Sequence, residues 1–182
     1  MRHFLFIEDK ISFSKKNNSI VGRGLLQDEK KLQIRFLEKH FDNPICDVGQ
    51  TNDYRDNKWR VGFMPIYKQL RYKFILCCWE GNDVASNLKY VMSSNSLAVT
   101  KKPKYETWFM EGTLIGGIYY VEIKDDSSDL DEKINYYSTH IKEAEKIIQN
   151  ANTYIKQFQN KKREDLISIL VLEKYFKQTS QL

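Results

Sequence analysis

Tyr72 to Met110 reads YKFILCCWEGNDVASNLKYVMSSNSLAVTKKPKYETWFM, and the order of patterns within it decides the fold class. The apolar run from Phe74 to Trp79 has the length and bulk of a strand buried on both faces. Glu80, Gly81, Asn82 and Asp83 are residues that stop a strand and cap a helix. The next segment recurs at helical spacing through Val84, Leu88, Val91 and Met92. Leu97 to Val99 then makes a second short strand. Strand, glycine turn, helix and strand within about thirty residues form one βαβ unit. Its turn lies where a doubly wound sheet holds a ligand's phosphates: glycine lets the backbone approach an anion, and the first amides of the helix have no internal partner. Neither GxGxxG nor a Walker lysine is present. The residues alone therefore leave two readings open, a phosphate site and a plain helix start.

Working outward, Met64 to Arg71, with Pro65 near its start, is expected to be a short helix that delivers the chain into the central strand. The polar segment Gln50 to Val61 reads as a surface loop, and Ile45 to Val48 as a strand ending at Gly49. Asp28 to Phe41 has the pattern of an amphipathic helix that buries Leu32, Phe36, Leu37 and His40 or Phe41. Before it, Asn17 to Ser19 suggest a turn, and Ile20 and Val21 a short strand that reaches a tight bend at Arg23 and Gly24. His3 to Ile7 reads as a strand or a connector. Downstream, Lys101, Lys102 and Lys104 form a loop at the carboxyl end of a strand, Ile118 to Ile123 another strand, and Ser127, Ser128 or Asp129 an N-cap. Two apolar stripes close the chain. One runs through Ile141, Ala144, Ile147, Ile148, Ala151, Tyr154, Ile155 and Phe158, and the other through Leu166, Ile167, Leu170, Tyr175 and Phe176.

The patterns EGNDVASNLKYVMSSNSL, KPKYETWFMEG and YYVEIKDDSSDLDEKI occur in that order. Together they resemble the C-terminal half of glycosyltransferase family 90, the lipopolysaccharide-modifying and capsule-associated transferases related to protein O-glucosyltransferases. The resemblance implies an α/β fold, a Rossmann-like parallel sheet with flanking helices similar to the C-terminal lobe of a GT-B glycosyltransferase, and a helical C-terminal third. On that reading residues 1–182 are a single nucleotide-sugar-binding lobe: 1–18 a connector or first strand, 19–128 the α/β core, 129–182 the C-terminal helices. The N-terminal acceptor lobe of such enzymes would be absent.

The resemblance also assigns residues. Donor binding falls on Arg23 and Gly24, on Arg35 as the pattern's second arginine, on Gly81, Asn82, Asp83, Val84, Ala85, Ser86 and Asn87, and on Glu106 as a ribose ligand. Arg35 retains a second reading as the solvated side of its helix, and Trp108 and Phe109 read as core. The implied chemistry is inverting transfer of a hexose from a nucleoside diphosphate sugar, UDP-hexose above all, to a lipopolysaccharide-core or similar glycan hydroxyl. Its general base belongs to the N-terminal lobe, so no catalytic residue is assigned. Gly22, Leu25 and Tyr119 depart from the family pattern, and a role for the histidine expected near Tyr119 is not carried over. These departures support an alternative, a non-catalytic remnant or interaction module that keeps the fold, with or without nucleotide binding.

At 182 residues one domain with a real core is expected. A formal charge of +5, spread along the chain, suits an anionic small molecule or a membrane surface, and no motif for nucleic-acid binding accompanies it. Cys46, Cys77 and Cys78 read as small buried hydrophobes in a reducing compartment. Three scattered histidines without HxH or HExxH predict no metal site, and no cofactor is expected beyond the donor substrate. MRHFLFIEDK is too short an apolar run for a signal peptide or span, which points to the cytoplasm, with peripheral contact on the inner membrane left open. Partners expected are the nucleotide sugar, the glycan acceptor, and either a second copy or a complementing N-terminal lobe over the last apolar stripe.

Overall fold

The structure is a computed structural model that describes residues 6–26, 31–54, 57–77 and 85–180. Five parallel strands form one sheet in the order β2-β1-β3-β4-β5, with β1 Asn17–Gly24, β2 Cys46–Gln50, β3 Tyr72–Leu76, β4 Leu97–Thr100 and β5 Val121–Glu122. The helices are α1 Lys31–His40, α2 Ile66–Gln69, α3 Ser86–Met92, α4 Leu130–Thr139, α5 Ile141–Lys156 and α6 Lys161–Gln178. The expected Rossmann-like α/β class is therefore the observed one.

Burial on both faces explains the continuous apolar run of β3, in which Phe74, Ile75 and Leu76 are all sealed from solvent. One face packs Ile20, Phe74, Leu76 and Val99 against Leu37 of α1 and Ile134 of α4. The other packs Val21, Ile75 and Ala98 against Leu88 and Val91 of α3. Helix α5 serves both: Ala144 and Ile147 join the first cluster, Ala151 and Ile155 the second. It is pinned where it crosses by Asn152, whose Nδ2 donates to the carbonyls of Met92 at 2.9 Å and Ser94 at 3.0 Å.

Several boundaries differ from the expectation. Asn17 to Ser19 are the opening of β1 and not a turn: Asn17 N donates to Arg71 O at 2.7 Å, and a register irregularity separates Asn17 from Ile20. β3 begins two residues before Phe74 and is assigned to Leu76, with Cys77 N still bonded to Val99 O at 2.8 Å. The strand expected from Ile118 contracts to Val121–Glu122, because a turn with Gly117 at φ +76° occupies its first half. Helix α2 keeps four residues of the expected eight. Among the described residues no helix is long and apolar enough to cross a membrane.

Candidate functional site

The connection from β1 leads to β2 on one side, and the connection from β2 returns to β3 on the other. β1 and β3 are neighbours whose chains leave in opposite directions, so a crevice opens outside their carboxyl ends. Gly24 ends β1 and Cys77 follows β3 at that crevice. Gly81, Asn82, Asp83 and Val84 fall outside the described residues, as do Glu80 and Cys78.

The chain is described again from Ala85, the N-cap of α3, which carries no side-chain cap. The helix thus starts later than the periodicity from Val84 suggested. Ser86 is exposed at its first position. Asn87 Nδ2 donates to Leu76 O at 2.9 Å, which satisfies the last carbonyl of β3 and ties the start of α3 to the switch point. That amide is spent on backbone, while Ser86 and the first amides of α3 stay at the carboxyl edge of the sheet.

Arg23 is the penultimate residue of β1 and pairs in register with Gly49. Its guanidinium reaches back across β2: NH1 donates to Gly22 O at 2.9 Å and Asp47 O at 2.5 Å, and NH2 meets Asp47 Oδ1 at 2.5 Å. The side chain is 8% exposed, and its Nε is buried without a partner. Tyr72 donates its hydroxyl to Asp47 Oδ2 at 2.5 Å, and burial together with that carboxylate pushes the phenol up to about 12. Arg23 is thus already charge-paired, and Nε is its one nitrogen without a partner.

The bend after β1 is fixed from the loop after β2. Thr51 N donates to Gly24 O at 2.9 Å, and Asn52 brackets Leu26 by accepting from its N–H at 2.9 Å and donating to its carbonyl at 3.0 Å. Gln50, fully buried, donates through Nε2 to Asn52 O at 3.1 Å and Tyr54 O at 3.3 Å. These positioning residues escaped the sequence reading; the only signal was the polar run QTND directly after a strand.

Arg35 is exposed on α1, in the half of the helix nearer the carboxyl edge of the sheet. Glu106, on the loop beyond β4, is exposed, and its carboxylate lies over Gly112, where an added Cβ would stand 3.2 Å from Oε1. No hydrogen bond or ion pair joins Arg23, Arg35 and Glu106 to one another among the described residues. The loop itself is held by Glu111, 1% exposed, which accepts from Thr107 N at 2.7 Å and pairs with Lys89 of α3 at 3.0 Å. Phe109 is fully buried, and Trp108 packs edge-on against Phe158, so both belong to the core as expected.

The family model for glycosyl transferase family 90 matches residues 10–179. The chain belongs to that family. It is 41% identical over 177 residues to O-glucosyltransferase LpsA of Dichelobacter nodosus, an alignment that takes in 97% of this chain and 55% of that protein. Protein O-glucosyltransferase 3 of Rattus norvegicus and of Homo sapiens are each 27% identical, with 33% and 34% of their lengths covered. This family 90 chain therefore spans about half the length or less of these relatives. Among solved structures, the C-terminal domain of a glycosyl transferase group 1 family protein (LpcC) from Francisella tularensis aligns with a TM-score of 0.49 at 12% identity, over 78% of this chain and 86% of that one.

Proposed function

We propose that the chain is the donor-binding lobe of a hexosyltransferase, which takes its sugar from a nucleoside diphosphate, UDP-hexose, and delivers it to a lipopolysaccharide-core or similar glycan hydroxyl. The observation that carries this reading is the 41% identity to an O-glucosyltransferase along 97% of the chain. The switch point between β1 and β3 supports it, because an open parallel sheet binds ligands outside the carboxyl ends of its strands at such a place. The family pattern would place the diphosphate against residues 81–87 and Gly24, with Arg35 as a free guanidinium and Glu106 toward the ribose. The chemistry asked of this lobe is to stabilise the charge that grows on the departing diphosphate. The general base for the acceptor hydroxyl would come from polypeptide outside this lobe.

Arg23 bears on a second reading. Its pairing with Asp47 leaves Nε as the one guanidinium nitrogen without a partner, so its positive charge is largely answered within the fold. That favours a module that keeps the fold and holds nucleotide without transferring sugar. Calorimetric titration with UDP and UDP-hexoses, followed by a radiolabelled transfer assay with and without a separately supplied N-terminal lobe, separates the two. The first reading expects UDP binding, weakened by about 1 to 3 kcal/mol in Arg35→Ala or Arg23→Ala, and turnover once the lobe is added. Binding without turnover in either arm selects the second reading, and no UDP binding at all sinks the first.

A further inference from the structure

We propose that His40, Cys46 and Asp131 form a binding site for a zinc-like divalent cation at the amino edge of the sheet. The three residues come from the last position of α1, the first of β2 and the second of α4. A ring nitrogen of His40, the Cys46 sulfur and a carboxylate oxygen of Asp131 all lie within 4.8 Å of one another. Bonds of about 2.0 to 2.3 Å in a tetrahedral zinc site set ligand atoms about 3.3 to 3.8 Å apart. Closing this trio onto a cation therefore takes side-chain shifts of about an ångström.

The hydrogen bonds fix which histidine nitrogen is free. Ser127 Oγ donates to Asp126 O at 2.7 Å, so in its 3.0 Å contact with His40 Nε2 it accepts. The ring proton then sits on Nε2 and a lone pair on Nδ1. Nδ1 is buried without a partner in a residue only 4% exposed, and it is the atom we assign to the cation. The arrangement matches the way metal-bound imidazoles are oriented, with the far N–H donated to a fixed acceptor.

The other two ligands are also prepared. Asn43 Nδ2 donates to Asp131 Oδ1 at 2.8 Å, which orients the carboxylate and leaves Oδ2 available. Asp131 is exposed, so the cation has a route in from solvent, and a water would complete the fourth position. Cys46 is a free, buried thiol whose sulfur lies within reach of the other two ligand atoms. Binding replaces its proton: the S–H bond breaks, a metal–sulfur bond forms, and H⁺ leaves to solvent. One thiolate and one carboxylate then balance the double charge of the cation, so no net charge is buried. Sulfur and imidazole ligands select zinc over magnesium or calcium, which take oxygen.

The spacing search for HxH and HExxH could not find this trio, because the fold assembles it from distant positions. It lies at the opposite end of the sheet from the switch point and is independent of the sugar-transfer reading. The test is to titrate the chelator-treated chain with Co²⁺, then displace it with Zn²⁺. A stoichiometric near-ultraviolet thiolate-to-cobalt absorption that Zn²⁺ abolishes is expected, together with a rise in Tm on adding Zn²⁺. Cys46→Ser should lose the absorption while its circular dichroism stays native. Asp131→Asn changes an exposed residue and keeps an acceptor for Asn43; it should bind Zn²⁺ more weakly by about tenfold or more. Absence of the absorption in the parent chain, its survival in Cys46→Ser, or unchanged Zn²⁺ affinity in Asp131→Asn would each overturn the proposal.

Discussion

Glu111 shows how a single carboxylate can hold a loop in place. Burial alone would favour its neutral form, yet the hydrogen bonds from Thr107 and the ion pair with Lys89 outweigh it and hold the carboxyl below its usual 4.5. The folded chain therefore binds this proton more weakly than the unfolded one does. The stability it contributes is complete above the unfolded value of 4.5 and is lost as pH falls through the lower folded value. Glu111→Gln should cost about 1 to 3 kcal/mol at neutral pH, since an amide can answer Thr107 but not the charge of Lys89. Lys89 retains its place 5.2 Å from the Phe109 ring centre, which limits the loss. Urea unfolding at neutral pH and again well below 4.5 checks this: the gap between variant and parent should narrow in acid, and a gap that stays constant would remove the ion pair from the account. At this scale the sequence was least informative. Glu106 and Glu111 stand in one motif, KPKYETWFMEG, and composition cannot tell the exposed carboxylate from the buried one. The difference arises from Lys89, which comes near only when α3 packs beneath the loop.

Among the elements, β2 and the loop after it are bound by a close backbone approach at Gly49. Gln50 N donates to Trp59 O at 2.8 Å, and Val61 N returns a bond to Gln50 O at 3.1 Å, so residues 59–61 lie directly against the strand end. A Cβ on Gly49 would stand 2.4 Å from Val61 Cγ2 and 2.7 Å from the Trp59 carbonyl oxygen, and the latter is backbone. Gly49→Ala should therefore lever this segment away at a cost of about 1 to 3 kcal/mol. Trp59, 7% exposed, makes the displacement visible as red-shifted fluorescence together with a lower unfolding midpoint; an unchanged spectrum and midpoint would show that the loop yields freely. Sequence reading found where most elements are because buried strands and amphipathic helices must carry their apolar residues. It failed where backbone alone makes the structure. Asn17 to Ser19 extend β1 through main-chain bonds that need no apolar side chain, and Asn18 then accepts from Lys73 at 3.0 Å. Conversely, Ile118 and Tyr119 looked like strand by composition, yet Gly116 and Gly117 turn the chain before β5 can form.

For the molecule as a whole, the parallel order was legible from the central βαβ unit, since right-handed crossovers restrict how its neighbours can be laid down. The two C-terminal stripes looked alike in sequence and meet opposite fates. That of α5 is sealed, with Ala144, Ile147, Ala151 and Ile155 all at 4% exposure or less. Along α6 only Glu164 is buried, while Leu166 and Leu170 are 57% and 52% exposed and Tyr175 is 54%. Periodicity shows that a helix has an apolar side, but only the fold shows whether anything stands against it. Apolar surface left in water is a force for association. The chain alone should therefore self-associate as its concentration rises, and the double change Leu166→Lys, Leu170→Lys should abolish this. Leucine and lysine have similar helix propensities and neither position packs against the core, so the variant should keep the parent's Tm within about a degree at dilutions where both are monomeric. Sedimentation velocity over a dilution series decides the matter: a parent chain that stays monomeric throughout, or a variant that associates as strongly, would show that the α6 stripe is not adhesive.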